Sequence, residues 1–280
     1  MGKPLTLSII IPAYNEENHL RACLEAIAKQ TKKPLEVLVV DNNSTDKTVE
    51  IAKSYTFVTL LHEKKQGLIP SRNKGFNAAK GDLLARLDAD SVIAPDWVEE
   101  ALNQMSQADT VALTGPGKTY VLSNLVPWHS AFWSRLYFWH MYSVLGFQVL
   151  WGPNMVIAKD MWQKVKGQAS TDDTEVHEDQ DLSILIRAAG HSVKYDKNLV
   201  ITTDGERLAY LPKAIEYEGR KHKTIRRHKE LGTLDLAKKD SLNSVVGWLL
   251  FMSLLPFGFL YFVVAAIYSL EKLIGLKPIE

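Results

Sequence analysis

Two aspartates, Asp88 and Asp90, stand one residue apart directly after a short apolar run, residues 82–87. In an extended segment such side chains share one face, and the end of a strand leaves them open to solvent. Hard divalent cations are bound by one or two carboxylates together with the oxygens of a substrate diphosphate. An Asp-x-Asp pair alone is common in turns and helix caps, but its position after a strand predicts a cation site that stabilises charge on a leaving diphosphate.

A second group of polar side chains follows two earlier apolar runs. Asp41 comes directly after residues 35–40, and residues 7–11 continue into Pro12-Ala13-Tyr14-Asn15-Glu16. The carboxyl ends of parallel strands meet at one sheet edge, where open α/β folds bind ligands. We therefore expect the carboxylates that follow these strands to converge on one crevice.

A third acidic group opens a helix in the second half of the chain. Glu178, Asp179 and Asp181 precede an apolar run that ends at Gly190, a typical helix stop. Acids in a first turn also complement the helix dipole, so a purely structural role stays open. The chemical alternative is a general base, a carboxylate that takes a proton from an attacking hydroxyl.

The order of segments in the first half predicts an α/β fold with parallel strands. Short β-branched runs alternate with amphipathic segments from residue 5 to about residue 90. The predicted strands are 7–11, 35–40, 57–61 and 82–87. The first predicted helix is 16–30, and the second runs from an N-cap at Ser44 through residue 52. The third is 71–79, with Gly81 as its stop, and the fourth follows Pro95. These elements are the ones that must position the acidic groups.

The overall composition is that of an ordinary folded protein. A formal net charge of +1 over 280 residues provides no basic field, so we expect no nucleic-acid partner.

The single cysteine, Cys23, recurs with Leu20, Leu24 and Ile27 at helical spacing, which predicts a buried packing residue. The first residues run into a strand without a secretion signal, so the N-terminal domain is expected inside the cell.

Four motifs together resemble the family 2 glycosyltransferases. They are Ile-Pro-Ala-Tyr-Asn-Glu-Glu from residue 11, Val-Asp-Asn-Asn-Ser-Thr-Asp from residue 40, Ser-Arg-Asn-Lys-Gly-Phe-Asn from residue 71 and Leu-Asp-Ala-Asp-Ser from residue 87. The resemblance covers residues 5 to about 205. It implies a GT-A fold, with a Rossmann-like, mostly parallel sheet flanked by helices, and inverting transfer from a nucleoside diphosphate sugar with Mg²⁺ or Mn²⁺.

The resemblance also assigns the nucleotide-sugar pocket. By it, Pro12, Tyr14 and Glu16 line the pocket for the base. Asp41 bonds the base, and Arg72 helps to hold the nucleotide. These roles are expectations that belong to the family pattern.

The cation and the catalytic base are assigned by the same resemblance. Asp90 would ligate the cation directly, and Asp88 would face the ribose or the cation. The pattern Glu-Asp-x-Asp-Leu at residues 178–182 makes Asp179 the catalytic base and Glu178 its neighbour in acceptor binding. A single displacement would then invert the sugar's configuration.

One departure from the family pattern bears on the acceptor. The Gln-x-x-Arg-Trp motif of processive members is absent, and Arg226-Arg227-His228 resembles a phosphate clamp only loosely. We therefore expect transfer of one sugar to a hydroxyl or a phosphate of a lipid-linked acceptor. With a phosphate acceptor no hydroxyl needs deprotonating, and Asp179 would matter less. A catalytically inactive, membrane-tethered protein that binds nucleotide sugar is the alternative.

A membrane segment is expected near the C-terminus. Residues 241–270 contain no charged side chain and, as a helix, are long enough to cross a hydrocarbon core. Pro256 and Gly258 leave both a kinked span and a re-entrant hairpin open, and a buried soluble helix is the third interpretation. Residues 213–239 carry nine Lys or Arg against four acids, which favours the cytoplasmic side of a cell membrane.

These features divide the chain into segments. The prediction is a catalytic domain at 1–212, made of a nucleotide-sugar half at 1–118 and an acceptor and base half at 119–212, then a basic juxtamembrane segment at 213–240, a membrane segment at 241–270 and a tail at 271–280. The aromatic-rich stretch 124–151 is interpreted either as a helix packed on the sheet or as an amphipathic element in the lipid interface.

Overall fold

Eighteen helices and strands make up the part of the chain that a computed structural model describes, residues 4–119, 127–203 and 211–234. The strands are β1 Leu7–Ala13, β2 Glu36–Asp41, β3 Val58–His62, β4 Leu83–Leu87, β5 Val92–Ile93, β6 Ala112–Thr114, β7 Gly117–Thr119, β8 Asn154–Ala158, β9 Lys194–Tyr195 and β10 Ile201–Thr203. The helices are α1 Leu20–Ala28, α2 Thr48–Lys53, α3 Leu68–Ala78, α4 Trp97–Met105, α5 Pro127–Leu145, α6 Lys159–Val165, α7 Glu178–Ala188 and α8 Leu211–Glu230.

The central sheet has seven strands in the order β3-β2-β1-β4-β8-β6-β9. The pairs among β3, β2, β1 and β4 are parallel, as is β6 with β9, while β8 runs antiparallel to both β4 and β6. The prediction of an α/β fold with a mostly parallel sheet flanked by helices is therefore confirmed. A second sheet, β5-β10-β7, ties the segment after Asp90 to residues 201–203.

The core lies on both faces of the central sheet. On β1, Ile9 and Ile11 belong to the cluster that contains α1, whereas Ile10 belongs to the cluster of the opposite face. This alternation follows from the period of two in a strand, and each fully buried aliphatic side chain contributes about 1.5–3 kcal/mol. Cys23 is completely buried in the first cluster, so its predicted packing role is confirmed.

Two predicted helix starts are wrong for the same physical reason. α1 begins at Leu20 rather than residue 16, and α2 begins at Thr48 rather than after a cap at Ser44. The Ser44 hydroxyl instead accepts a hydrogen bond of 3.1 Å from the backbone N–H of Asn15. The polar residues after β1 and β2 therefore bind each other across the two loops, and this contact between distant residues outweighs their local capping preference.

The aromatic stretch contains α5, and one face of its described part packs inside the protein. Phe138, Met141 and Leu145 are buried in a third hydrophobic cluster with Ile184 of α7. Trp139 is 47% exposed. For residues 134–145, the interpretation as a helix packed against the fold is therefore the one that the structure supports.

The predicted membrane segment, residues 241–270, lies outside the described residues, as do residues 235–240 at the end of the basic segment and the tail 271–280. Among the helices of the described part, none combines the length and apolar character that a membrane crossing requires. The described portion of the basic segment continues α8 to Glu230.

Gly81 has a different role from the predicted helix stop. α3 ends at Ala78, and Gly81 lies directly against β1, where its N–H donates a hydrogen bond of 2.8 Å to the Ser8 hydroxyl. A Cβ atom added at Gly81 would come within 2.7 Å of the backbone nitrogen of Ser8. Only a residue without a side chain allows β1 and the start of β4 to approach this closely.

We predict that Gly81→Ala lowers the free energy of unfolding by about 1–3 kcal/mol, because the new methyl group overlaps backbone that cannot move aside. Urea unfolding followed by tryptophan fluorescence measures the change. Gly167→Ala is the control, since nothing lies within 4 Å of the added Cβ, and its effect should stay within about 0.5 kcal/mol. Equal stability of the two variants would show that the sheet tolerates the extra atom.

Candidate functional site

Asp41 is the last residue of β2 and lies between the ends of two neighbouring strands. It is paired with Ala13 of β1 on one side and with His62 of β3 on the other. Its Oδ1 accepts the N–H of Ser44 at 3.1 Å, and its Oδ2 lies 3.1 Å from Nδ1 of His62. The carboxylate is thus held in one orientation at the carboxyl edge of the sheet.

The loop after β1 presents the other predicted base-pocket residues. Pro12 is half-buried, and Glu16 is buried, with its N–H donating to the Thr48 hydroxyl at 2.7 Å. Asn15 has a φ of 54°, which turns the chain sharply after the strand. Tyr14 is 49% exposed, so its ring is open to a ligand at this edge.

Asp88 and Asp90 follow β4 and lie close to the loop after β1. The hydroxyl of Thr203 donates a hydrogen bond of 2.9 Å to Oδ2 of Asp90. Burial raises the pKa of the Cys23 thiol, and the charges of Asp90, Asp88 and Glu16 raise it further. The Sγ atom of Cys23 also lies 3.8 Å from the backbone carbonyl oxygen of Asp88, so the thiol lies next to the end of β4.

Arg86 connects this region to α7. It is the buried penultimate residue of β4, with one terminal nitrogen paired to Asp88 and the other to Glu178. Burial raises the pKa of Glu178, but the charges of Arg86 and Arg72 outweigh that effect and bring the pKa below its ordinary value. The ionised Glu178 therefore belongs to the same cluster as Asp88.

Asp179 lies beside this cluster, and its pKa is shifted in the opposite direction from that of Glu178. Its Oδ2 accepts the N–H of Gly152 at 3.0 Å, and its Oδ1 accepts the N–H of Gln180 at 2.7 Å. Burial, followed by the negative charge of Glu178, raises the pKa of Asp179 to about 7. Neighbouring carboxylates with pKa values pushed apart are typical of general acid–base sites.

Gly152 belongs to the turn that precedes β8. A Cβ atom there would lie 2.2 Å from a terminal nitrogen of Arg86 and 2.7 Å from Oε1 of Glu178. The absence of a side chain allows this backbone to reach both the ion pair and the carboxylate of Asp179.

Arg72 lies beneath α7 and has no exposed surface. One terminal nitrogen donates to the backbone carbonyl of Glu178 at 3.2 Å, and the guanidinium lies 5.7 Å from the ring centroid of Trp162. The structure thus places Arg72 as a support of the first turn of α7. Its predicted contact with the nucleotide stays a prediction.

The residues present fit a divalent cation that is shared with a ligand. Among the described residues no group of three His, Cys, Asp or Glu side chains surrounds one point. Asp88 and Asp90 supply hard carboxylate oxygens at a sheet edge, and the Asp88 side chain is 28% exposed. Mg²⁺-type sites use one or two carboxylates and take their remaining ligands from water and phosphate oxygens, which matches this donor set.

A family comparison identifies the chain. Residues 8–162, more than half of its length, match the profile described as "Glycosyl transferase family 2". The chain belongs to glycosyl transferase family 2. The family predicted from the four motifs is therefore confirmed.

Relatives with sequence similarity come from several organisms. The putative glycosyltransferase EpsH of Bacillus subtilis (strain 168) is 36% identical over 100 residues, which cover 34% of this chain and 29% of EpsH. Glycosyltransferase AglE of Haloferax volcanii is 38% identical over 107 residues, which cover 36% of this chain and 35% of AglE. Each match spans about a third of the relative's length.

Solved structures share the fold at lower sequence identity. Mannosyltransferase PcManGT from Pyrobaculum calidifontis, in complex with GDP-Man and Mn²⁺, has a TM-score of 0.68 and 18% identity over 99% of this chain and 82% of that one. S. aureus TarS 1-349, in complex with UDP-GlcNAc, has a TM-score of 0.54 and 17% identity over 88% and 79% of the two chains. At these identities the likeness establishes the fold.

Two residues of the site were not predicted from the sequence. Arg86 is a lone charge within the apolar strand Leu83–Leu87, and that anomaly was a usable signal, since buried charges are paired. His62 gave no local signal, because its contact with Asp41 depends on the register between β2 and β3.

We predict that Arg86→Met lowers the free energy of unfolding by about 3–5 kcal/mol near pH 8, because Glu178 is left buried without its cation. Without Arg86 the folded-state pKa of Glu178 rises above its unfolded value, so stability is retained at low pH and lost as pH rises. Urea unfolding at pH 5 and pH 8 should show the larger loss at pH 8. Arg21→Met, at an exposed position of α1, is the control. A loss of equal size at both pH values would argue against the pairing.

Proposed function

We propose that this chain is an inverting glycosyltransferase that transfers one sugar from a nucleoside diphosphate sugar to a hydroxyl or phosphate of a lipid-linked acceptor. The observation that carries the proposal is the bridge of Arg86 between Asp88 and Glu178, with Asp179 beside it. It joins the strand edge that would bind the donor to the helix that would serve the acceptor. If these groups lay on separate surfaces of the protein, they could not act together in the transfer of a sugar.

The donor side would use the edge formed by β1, β2 and β4. Asp41 would accept a hydrogen bond from the nucleobase, Tyr14 offers an exposed ring, and Pro12 and Glu16 belong to the same loop. The structures of similar fold that hold GDP-Man and UDP-GlcNAc support a nucleotide sugar as the ligand class.

Asp90 and Asp88 would hold Mg²⁺ or Mn²⁺, and Mn²⁺ is present in one structure of similar fold. When bound, the cation neutralises negative charge that develops on the departing diphosphate. The hydroxyl of Thr203 orients Asp90, and Arg86 orients Asp88. The protein thus presents both carboxylates in fixed positions before a ligand arrives.

Asp179 would act as the catalytic base for a hydroxyl acceptor. Its carboxylate takes the hydroxyl proton while the oxygen bonds to the anomeric carbon, and the bond from that carbon to the diphosphate oxygen breaks. The Asp179 carboxylate accepts hydrogen bonds from two backbone N–H groups, which use only some of its lone pairs. The remaining lone pairs can accept a hydrogen bond from the acceptor hydroxyl. Glu178, held ionised by Arg86, would contribute to acceptor binding.

A lipid-linked acceptor is supported by the surroundings of Asp179. The side-chain nitrogen of Gln180, the residue after Asp179, lies 3.8 Å from the sulfur of Met141, so the aromatic helix α5 lies beside the proposed base. The exposed face of α8 carries Lys223, Arg226 and Lys229, which suit an anionic membrane surface. With the uncharged residues 241–270, these features support a location at the cytoplasmic face of the cell membrane.

The proposed function is tested by incubating detergent-solubilised full chain with a panel of nucleotide sugars, Mn²⁺ and extracted membrane lipids. Mass spectrometry of the lipid fraction should show one added sugar per acceptor. Donor binding without transfer or hydrolysis under all conditions would instead support the inactive nucleotide-sugar-binding protein.

We predict that turnover of a hydroxyl acceptor rises with pH and levels off above about pH 7, because Asp179 must be ionised to take a proton. Below that value the rate should fall about tenfold per pH unit. Asp179→Asn should lower kcat about 10²–10⁴-fold and remove this acidic limb. Asp172→Asn, an exposed acid in the preceding loop, is the control. Full turnover by Asp179→Asn would reject the base assignment.

We predict that Asp90→Asn weakens Mn²⁺ binding at least about tenfold in the presence of nucleoside diphosphate, because a charged ligand is lost. Electron spin resonance of free Mn²⁺ measures binding without relying on turnover. Asp109→Asn is a matched control, since Asp109 has a φ of 65° that Asn also tolerates. Unchanged Mn²⁺ affinity in Asp90→Asn would remove Asp90 from the cation site.

A further inference from the structure

The buried face of α8 contacts the first turn of α7. Thr224 and His228 lie one helical turn apart on α8, and neither has any exposed surface. The Thr224 hydroxyl accepts the backbone N–H of His177, the residue that precedes α7, at 2.8 Å. α8 therefore satisfies one of the backbone donors that the start of a helix leaves open.

His228 contacts the same turn through Asp181. Its Nε2 lies 2.9 Å from Oδ1 of Asp181, and its Nδ1 lies 2.7 Å from the Thr233 hydroxyl. The other oxygen of Asp181 accepts the backbone N–H of Ser170 at 2.9 Å. Because an ionised carboxylate only accepts hydrogen bonds, Nε2 of His228 carries the proton in this pair.

Asp181 thus ties three segments together: α7, the loop before it, and α8. Arg227 adds to this junction, since one terminal nitrogen lies 3.9 Å from Asp181 while the other donates to the carbonyl of Gln168 at 2.9 Å. Asp181 has no exposed surface, so it cannot touch a substrate directly. A buried ion pair is poor evidence for stability, and its best supported use is to specify one geometry.

The geometry that this junction specifies is that of the proposed base. Asp179 and Asp181 occupy the same first turn, so a shift of that turn moves both carboxylates. A displacement of about 1 Å at a reacting group lowers the rate on the order of 100-fold.

We propose that His228 is a positioning residue that acts through Asp181 to hold the first turn of α7, and with it Asp179, in the orientation that transfer requires. This inference rests on the proposed function. It assigns a role in the reaction to α8, whose basic residues the sequence connected mainly with the membrane.

Four variants separate positioning from stability. His228→Gln keeps a donor near the place of Nε2, whereas His228→Leu removes it. The double variant Asp181→Leu with His228→Leu replaces both partners by apolar groups, which restores stability in comparable buried pairs. His222→Leu changes an exposed histidine on the opposite face of the same helix and is the control.

We expect His228→Leu to lower kcat on the order of 100-fold with little change in the donor KM, and His228→Gln to recover most of that loss. The N–H of Ser170 still loses its acceptor in the double variant, so we expect it to regain part of the melting temperature that His228→Leu loses but none of the lost kcat. That difference separates positioning from a merely structural role. Hydrogen exchange of the backbone amides of residues 177–183 should be faster in His228→Leu and unchanged in His222→Leu.

Wild-type kcat in His228→Leu, recovery of both kcat and melting temperature in the double variant, or unchanged exchange at 177–183 would each overturn the proposal. Absence of transfer by the wild-type chain with every donor would instead refute the proposed function. In that case the exchange measurement still decides whether His228 holds the first turn of α7.

Discussion

A guanidinium buried at the centre of a sheet must be neutralised, and the site depends on how Arg86 meets that requirement. It pairs with Asp88, which directly follows its own strand, and with Glu178, which opens a helix 92 residues further along the chain. Since an unpaired buried charge costs several kcal/mol, the two halves of the chain are locked together at this point. The acidic groups that follow β4 and those that open α7 therefore meet at one edge of the sheet.

The rest of the fold can be understood as support for this junction. β8 runs antiparallel to β4 and pairs Asn154 with Leu87, which brings the turn at Gly152 beside Arg86 and Asp179. The small second sheet brings Thr203 to Asp90. Ionic contacts hold Glu178 charged, whereas burial favours the neutral form of Asp179, so adjacent residues of one helix acquire different chemistry.

Local patterns in the sequence were sufficient for the first four strands and for the aspartates that follow them. Short apolar, β-branched runs mark buried strands, and Asp41, Asp88 and Asp90 lie at the strand ends that this pattern predicts. Ser44 shows where local reasoning fails, because Asn15 provides a partner that capping preference does not include. Two side-chain pairs of the structure join residues far apart in the chain, namely Arg86 with Glu178 and His228 with Asp181. The sequence around each residue does not indicate which residue it pairs with. Specificity for a sugar or base rests on a few pocket contacts, which no motif encodes.

The most direct test of the central claim is a crystal structure of the full chain with GDP or UDP and Mn²⁺. We predict that the base lies against Asp41, that the cation joins the diphosphate to Asp90, and that Asp179 faces the space beyond the diphosphate. A nucleotide bound elsewhere, or a cation that contacts neither Asp88 nor Asp90, would contradict the account.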